Sequence, residues 1–63
     1  MQDKLKQLRV SKGISQTFVS KKLGFKYPSG YSNIENGIRK PSLETAKKIA
    51  DIFNKTIEEI FFG

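Results

Sequence analysis

The chemistry open to this 63-residue chain is mainly that of amines, guanidinium groups, amides and hydroxyls. It contains no histidine and no cysteine. Their absence removes the commonest general base and the commonest metal ligand, and it excludes disulfides and thiolate metal sites. There are no paired carboxylates in a plausible cleft and no phosphate-binding loop. We therefore expect neither an enzyme nor a bound metal or cofactor.

Positive charge is the dominant chemical feature, and it is unevenly distributed along a chain of net charge +6. Residues 1–40 contain nine lysines and arginines against two acids, whereas residues 41–63 contain three lysines against four acids. A positive front and a nearly neutral back suit a polyanionic partner on one side. A basic surface that is merely solvated is the alternative.

Hydrophobicity and length limit the class of protein. No apolar run approaches the roughly 20 residues of a membrane span, and the first ten residues are too polar for a signal peptide. We expect a cytoplasmic protein with no membrane partner, formed by one domain over residues 1–63.

Five short helices are expected to position the polar groups, because the apolar residues recur at helical spacing with almost no alternation. The first covers about residues 2–12. Small polar residues and glycines mark the other boundaries. These markers are Gly13, Ser15, Gly24, Asn36-Gly37, Ser42 and Thr56, the last with Glu59 at capping-box spacing.

One helical core with little room for an internal ligand is expected, so no small-molecule site is predicted. Fifteen side chains are candidates for it: Leu5, Leu8, Ile14, Val19, Leu23, Phe25, Tyr31, Ile34, Leu43, Ala46, Ile49, Ala50, Phe53, Ile57 and Ile60.

The start of the third helix, in "YPSGYSNIENG", is unusual because Pro28 and Gly30 are poor helix formers. Two arrangements would tolerate them. Pro28 can occupy the first helical position, where its missing N–H costs nothing and its fixed φ helps. Alternatively, Ser29 is the N-cap and Gly30 the first helical residue.

Four segments together resemble a known family: "LKQLRVSKGISQ", "KKLGF", "IENGIRKPSLETAKKIA" and "FNKTIEEIF". They are similar to the lambda-repressor-like helix-turn-helix proteins, the Cro/repressor or XRE type. The resemblance covers nearly the whole chain. It implies an all-α, five-helix DNA-binding domain in which helices 2 and 3 form the helix-turn-helix.

The resemblance also implies roles for residues of the first three helices. Gln16 matches a glutamine that usually bonds a backbone phosphate and braces the start of helix 3, although it could merely complete a cap. Ser20 matches a small residue, usually alanine, that lets helices 2 and 3 approach. Glu35 matches a structural glutamate, expected here to pair with a basic residue such as Arg9.

The chain departs from the family in the turn between helices 2 and 3, which is one residue longer. Counting back from Glu35, the positions where relatives read bases are occupied by Pro28, Ser29, Ser32 and Asn33. An asparagine can bond adenine with two hydrogen bonds, whereas serine hydroxyls are less selective.

Other residues of this region are expected at the edge of a nucleic-acid interface. Gly30 would allow a close approach of the backbone to DNA. Lys26 and Tyr27 could touch a phosphate or a thymine methyl, unless Tyr27 covers the core. Arg39 and Lys40 match basic residues that meet the sugar-phosphate backbone, unless they belong to an ordinary solvated loop.

The C-terminus carries more aromatic surface than its own helix needs. Ile57, Ile60 and Phe61 share one face, and Phe62 is surplus to it. We expect Phe61 and Phe62 to form the interface of a weak homodimer that DNA stabilises. The alternative is a tail folded onto its own core.

The expected function is therefore sequence-specific binding of double-stranded DNA by a small phage- or mobile-element-type repressor. Helix 3 would read a palindromic operator in the major groove. A protein-interaction module with the same fold, such as an antitoxin or antirepressor-like adaptor, is the alternative.

Overall fold

In the computed structural model, the described residues are 3–62, and they form five helices without strands. The helices are α1 (Asp3–Lys12), α2 (Gln16–Lys22), α3 (Ser29–Glu35), α4 (Leu43–Phe53) and α5 (Glu58–Phe62), the last a single π-helical turn. The expected all-α, five-helix architecture is confirmed.

The helix boundaries follow from local capping chemistry, as the sequence predicts. Ser15 accepts a hydrogen bond from the N–H of Phe18, and Ser42 accepts one from the N–H of Thr45. Gly13 and Gly24 have positive φ angles after α1 and α2, a conformation that glycine adopts without steric cost. Each cap therefore ends or begins a helix without reference to the rest of the fold.

The capping box expected at α5 is present. The Thr56 N–H donates to the Glu59 carboxylate at 2.9 Å, and the Glu59 N–H donates to the Thr56 hydroxyl at 3.1 Å. These reciprocal bonds lower the pKa of the exposed Glu59 carboxyl, chiefly through its hydrogen bond to the Thr56 backbone. The box directs the short last helix back over the core.

All five helices contribute to one apolar core. Its buried members, all predicted from periodicity, are Leu5, Val19, Leu23, Tyr31, Ile34, Ala46, Ile49, Ala50, Phe53 and Ile60. The predicted Leu8, Ile14, Phe25 and Ile57 are partly buried against the core.

Leu43 was wrongly predicted to be a core residue, because its side chain is 66% exposed. It is the first residue of α4. Helical spacing from Ala46 identifies the correct face but cannot show that the core ends before this first turn. Leu43 instead lines a surface groove beside α5.

Candidate nucleic-acid interface

The start of α3 is held by a side chain from α2. The Ser20 hydroxyl donates to the carbonyl oxygen of Pro28 at 2.9 Å and accepts from the N–H of Tyr31 at 3.0 Å. Ser20 is only 1% exposed. The first N–H groups of a helix have no intrahelical partner, so Ser20 performs for α3 the task of an N-cap residue.

This arrangement explains how α3 tolerates Pro28. The proline directly precedes the first residue of α3, its backbone is already helical (φ −58°, ψ −29°), and it makes no side-chain cap. Its carbonyl accepts the N–H of Ser32 at 3.1 Å. The structure is thus close to the first arrangement considered above. The alternative with Ser29 as N-cap is wrong, since Ser29 is the first residue of α3.

The far end of α3 is held by an ion pair between the partly buried Arg9 and the buried Glu35. Arg9 donates to both carboxylate oxygens of Glu35, from Nε at 2.9 Å and from the terminal nitrogen Nη2 at 3.1 Å. A third guanidinium bond reaches the carbonyl of Ile14 at 3.0 Å. The predicted pairing of Glu35 with Arg9 is confirmed, and it ties the last residue of α3 to α1 and to the α1–α2 turn.

Gln16 completes this cluster. Its amide donates to Glu35 at 3.2 Å, so Gln16 braces the end of α3. The family resemblance had predicted that it would brace the start of this helix. Burial of Glu35 favours its neutral form, but the hydrogen bonds from Arg9 and Gln16 and the positive charge of Arg9 outweigh burial and lower the pKa of the carboxyl. Glu35 is therefore an ionised structural group. Burial raises the pKa of the Tyr31 hydroxyl beside it.

Five of the nine predicted DNA-contacting residues line one groove of about 250 Å³ beside α3. These five are Lys26, Tyr27, Ser29, Asn33 and Arg39. The groove combines two cationic side chains, one amide, one aliphatic hydroxyl and one phenol. Such a lining can donate hydrogen bonds to anionic oxygens and exchange hydrogen bonds with base edges.

The other four predicted residues lie outside this lining. Gln16 is half-buried against Glu35, and Pro28 is exposed at the start of α3. Ser32, half-buried, accepts a long hydrogen bond of 3.4 Å from the Asn36 amide. Lys40 lines a different groove, next to Pro41 and Leu43.

The contacts that the Phe25 ring makes with Gly30 and Arg39 in this groove were not predicted from the sequence. A Cβ atom on Gly30 would lie 2.6 Å from the Phe25 ring, so the glycine provides the space in which the ring packs. The Arg39 guanidinium lies over the same ring, 5.6 Å from its centre. The sequence analysis proposed that Gly30 allows a close approach of the backbone to DNA. The structure adds a second reason for a glycine here, which is the packing of the Phe25 ring. No linear pattern relates these residues.

The loop after α3 is fixed at its backbone. The carbonyl of Asn33 accepts hydrogen bonds from the N–H groups of Ile38 at 2.9 Å and Arg39 at 3.1 Å. Arg39 itself is exposed. The loop therefore holds the Arg39 backbone beside Asn33 in a defined position.

The C-terminal aromatic residues differ from each other. Phe61 is partly buried against the core, whereas Phe62 is 78% exposed. Both line an apolar groove of about 370 Å³ with Leu43 and Ile57. The expected patch of two exposed phenylalanines is thus one exposed phenylalanine beside an exposed leucine, with Phe61 forming the inner wall.

Within residues 3–62, no helix is both long and apolar enough to cross a membrane. Over the same residues, no cluster of three or more carboxylate, imidazole or thiol side chains is positioned to hold a metal ion.

The pair formed by α2 and α3, with the second helix held at both ends and followed by a fixed loop, has the arrangement of a helix-turn-helix. The chain belongs to the helix-turn-helix family, whose model matches residues 5–60. The XRE-type resemblance noted in the sequence is confirmed.

Two relatives are transcriptional regulators by name. The HTH-type transcriptional regulator AnsR of Bacillus subtilis is 38% identical over 58 residues, which are 92% of this chain and 49% of that protein. An uncharacterized HTH-type transcriptional regulator of Archaeoglobus fulgidus is 34% identical over 61 residues, 97% of this chain and 86% of that protein. No solved structure matches significantly.

This chain thus spans about half the length of AnsR but most of the archaeal relative.

Proposed function

We propose that this protein regulates transcription by binding a specific palindromic operator in double-stranded DNA, as a small repressor of the phage or mobile-element type. Its site of action is the cytoplasm. The observation that carries the proposal is the groove beside α3, where Lys26, Tyr27, Ser29, Asn33 and Arg39 converge. Packing of the core does not require cationic and hydrogen-bonding side chains to be grouped on one surface of the helix-turn-helix.

Base recognition is assigned to α3 and the residue before it. Asn33 supplies an amide that can make two hydrogen bonds to adenine in the major groove. Ser29 and Ser32 supply less selective hydroxyls, and Pro28 supplies an apolar contact at the exposed start of the helix. Ser20 and Glu35 act indirectly, because they hold the two ends of α3.

Contacts to the sugar-phosphate backbone of DNA are assigned to residues around α3. Gln16 has two amide N–H donors; one bonds Glu35, which leaves the other for a phosphate. Arg39 and Lys40 contact phosphates from the loop after α3, and Lys26 and Tyr27 do so from the α2–α3 turn. Because phosphate contacts carry no sequence information directly, Gln16→Ala and Arg39→Ala should weaken binding to all duplexes alike.

A weak two-fold dimer would place two copies of α3 about 34 Å apart, one turn of DNA, to match a palindrome. The exposed Phe62 and Leu43 beside the half-buried Phe61 offer a small self-complementary surface for it. Repression would follow from occupancy of the operator.

The same C-terminal groove favours a second candidate function, a protein-interaction module of the antitoxin or antirepressor type. Salt dependence separates the two. If DNA neutralises about five or six phosphates, log K against log salt should have a slope near −5, from roughly −0.9 per phosphate. A flat response, with binding to a protein partner instead, would favour the adaptor.

A further inference from the structure

The Phe25 ring lies close to two residues of the groove, one in α3 and one in the loop after it. At Gly30, even a Cβ would approach the ring to 2.6 Å. The Arg39 guanidinium lies over the ring, 5.6 Å from its centre. The ring is half-buried and packs against the core, so it is a fixed platform rather than a mobile surface group.

This platform restricts a side chain that would otherwise be mobile. The Arg39 backbone is already anchored, because its N–H donates to the Asn33 carbonyl at 3.1 Å. Its guanidinium makes no hydrogen bond or ion pair with residues 4–62, so the contact with the ring orders its far end. An arginine held over an aromatic ring by a cation–π contact does not use its N–H donors as it would in an ion pair, so they stay available for an anion.

A single glycine makes this geometry possible. Gly30 lies in the first turn of α3, where a glycine costs helix stability relative to alanine. Without a side chain there, the ring can sit close against α3, and Arg39 can cross the ring toward the groove. The groove-lining set, which includes Phe25, Gly30, Asn33 and Arg39, then forms one continuous surface.

The geometry points to Phe25 as a positioning residue for DNA binding: seated on Gly30, it pre-orders the Arg39 guanidinium to grip a phosphate beside the base-reading Asn33. This inference rests on the proposed function and deepens it. Phe25 acts through Arg39, since its half-buried ring forms the floor under the guanidinium. Ordering before binding reduces the conformational entropy lost when the phosphate is bound.

A double-mutant cycle on DNA affinity tests this role. Phe25→Leu keeps an apolar side chain but removes the aromatic face. We expect it to weaken binding of the wild-type background about two- to five-fold, the range of an exposed cation–π contact. In an Arg39→Ala background, the same change should have little further effect. Gly30→Ala, which must displace the ring, should show the same dependence on Arg39.

The chain offers a matched control on another surface. Lys22 lies over the Phe18 ring at 5.7 Å, outside the groove. Phe18→Leu should leave DNA affinity unchanged. In the free wild-type protein, ring-current shifts on the Arg39 side-chain protons should be present, and they should disappear in Phe25→Leu.

Four results would overturn the inference. Equal losses in both backgrounds would show that Phe25 acts only through folding. No loss in the wild-type background would show that the stack is irrelevant, and tighter binding would show that it withholds Arg39 from DNA. Absence of salt-dependent DNA binding by the wild type would overturn the proposed function itself, and this role with it.

Discussion

Replacing Ser20 by alanine should destabilise the protein more than its small change in volume suggests. Its hydroxyl bridges the Pro28 carbonyl and the Tyr31 N–H. The Pro28 carbonyl keeps a second partner, the N–H of Ser32. The Tyr31 N–H has no other partner, and Pro28 supplies no side-chain cap. Alanine therefore leaves one donor of the first turn unpaired in a buried location.

The magnitude follows from that unpaired donor. A buried N–H without a partner costs about 1–3 kcal/mol. We therefore expect Ser20→Ala to lower the free energy of unfolding by about 2 kcal/mol. For a domain of this size, that loss corresponds to roughly 10 °C in Tm. Ser15 is the matched control, because it caps α2 through one exposed bond. Ser15→Ala should cost about 1 kcal/mol, as exposed caps usually do.

Urea denaturation followed by circular dichroism measures both losses under the same conditions. The expected order is wild type, then Ser15→Ala, then Ser20→Ala as the least stable. If Ser20→Ala proved as stable as Ser15→Ala or more so, then Ser20 would be only a small packing residue, and the reason given for the proline at the start of α3 would fail.

Three further predictions concern pH, specificity and assembly. Because the pKa of Glu35 is lowered on folding, its ion pair should stabilise the protein fully above the ordinary value of 4.5 and lose that effect as pH falls through the lowered pKa. Urea titrations from neutral to acid pH should show this loss, and Glu35→Gln should reduce it; an identical pH profile in the variant would contradict the assignment. Asn33→Ala should cost about 1–3 kcal/mol on the best duplex and relax the preference at one base pair. Binding to a panel of single-base variants checks this, and an unchanged preference would move the base-reading role to Ser29 or Ser32. Phe62→Ser should reduce cooperative operator binding with little change in Tm, as measured by sedimentation and DNA titration. A lowered Tm with unchanged stoichiometry would instead mean that the tail serves its own core.

The features that could be predicted from the sequence are those set by nearby residues. Ser15, Ser42 and the Thr56–Glu59 box bond groups three residues away, so spacing alone locates them. The buried faces follow from helical periodicity in the same way. The Arg9–Glu35 pair spans 26 residues, and it was expected because the chain resembles a family in which that glutamate is structural.

The features that sequence reasoning missed depend on how the helices pack. Ser20 reaches residues eight and eleven positions ahead, and its sequence neighbours give no sign that α3 lacks its own cap. Phe25, Gly30 and Arg39 meet only when the α2–α3 turn and the loop after α3 are in place. The prediction that Leu43 is a core residue was wrong for a related reason, because periodicity does not show where a core ends.

Selection of bound sequences from a random duplex library tests the central claim most directly. We predict enrichment of a palindromic consensus, with half-sites about 34 Å apart along the DNA, and a blurred preference at one base pair of each half-site when Asn33→Ala is selected in parallel. Failure of the wild-type protein to enrich any sequence, under salt conditions where it binds duplex DNA, would contradict sequence-specific recognition by α3.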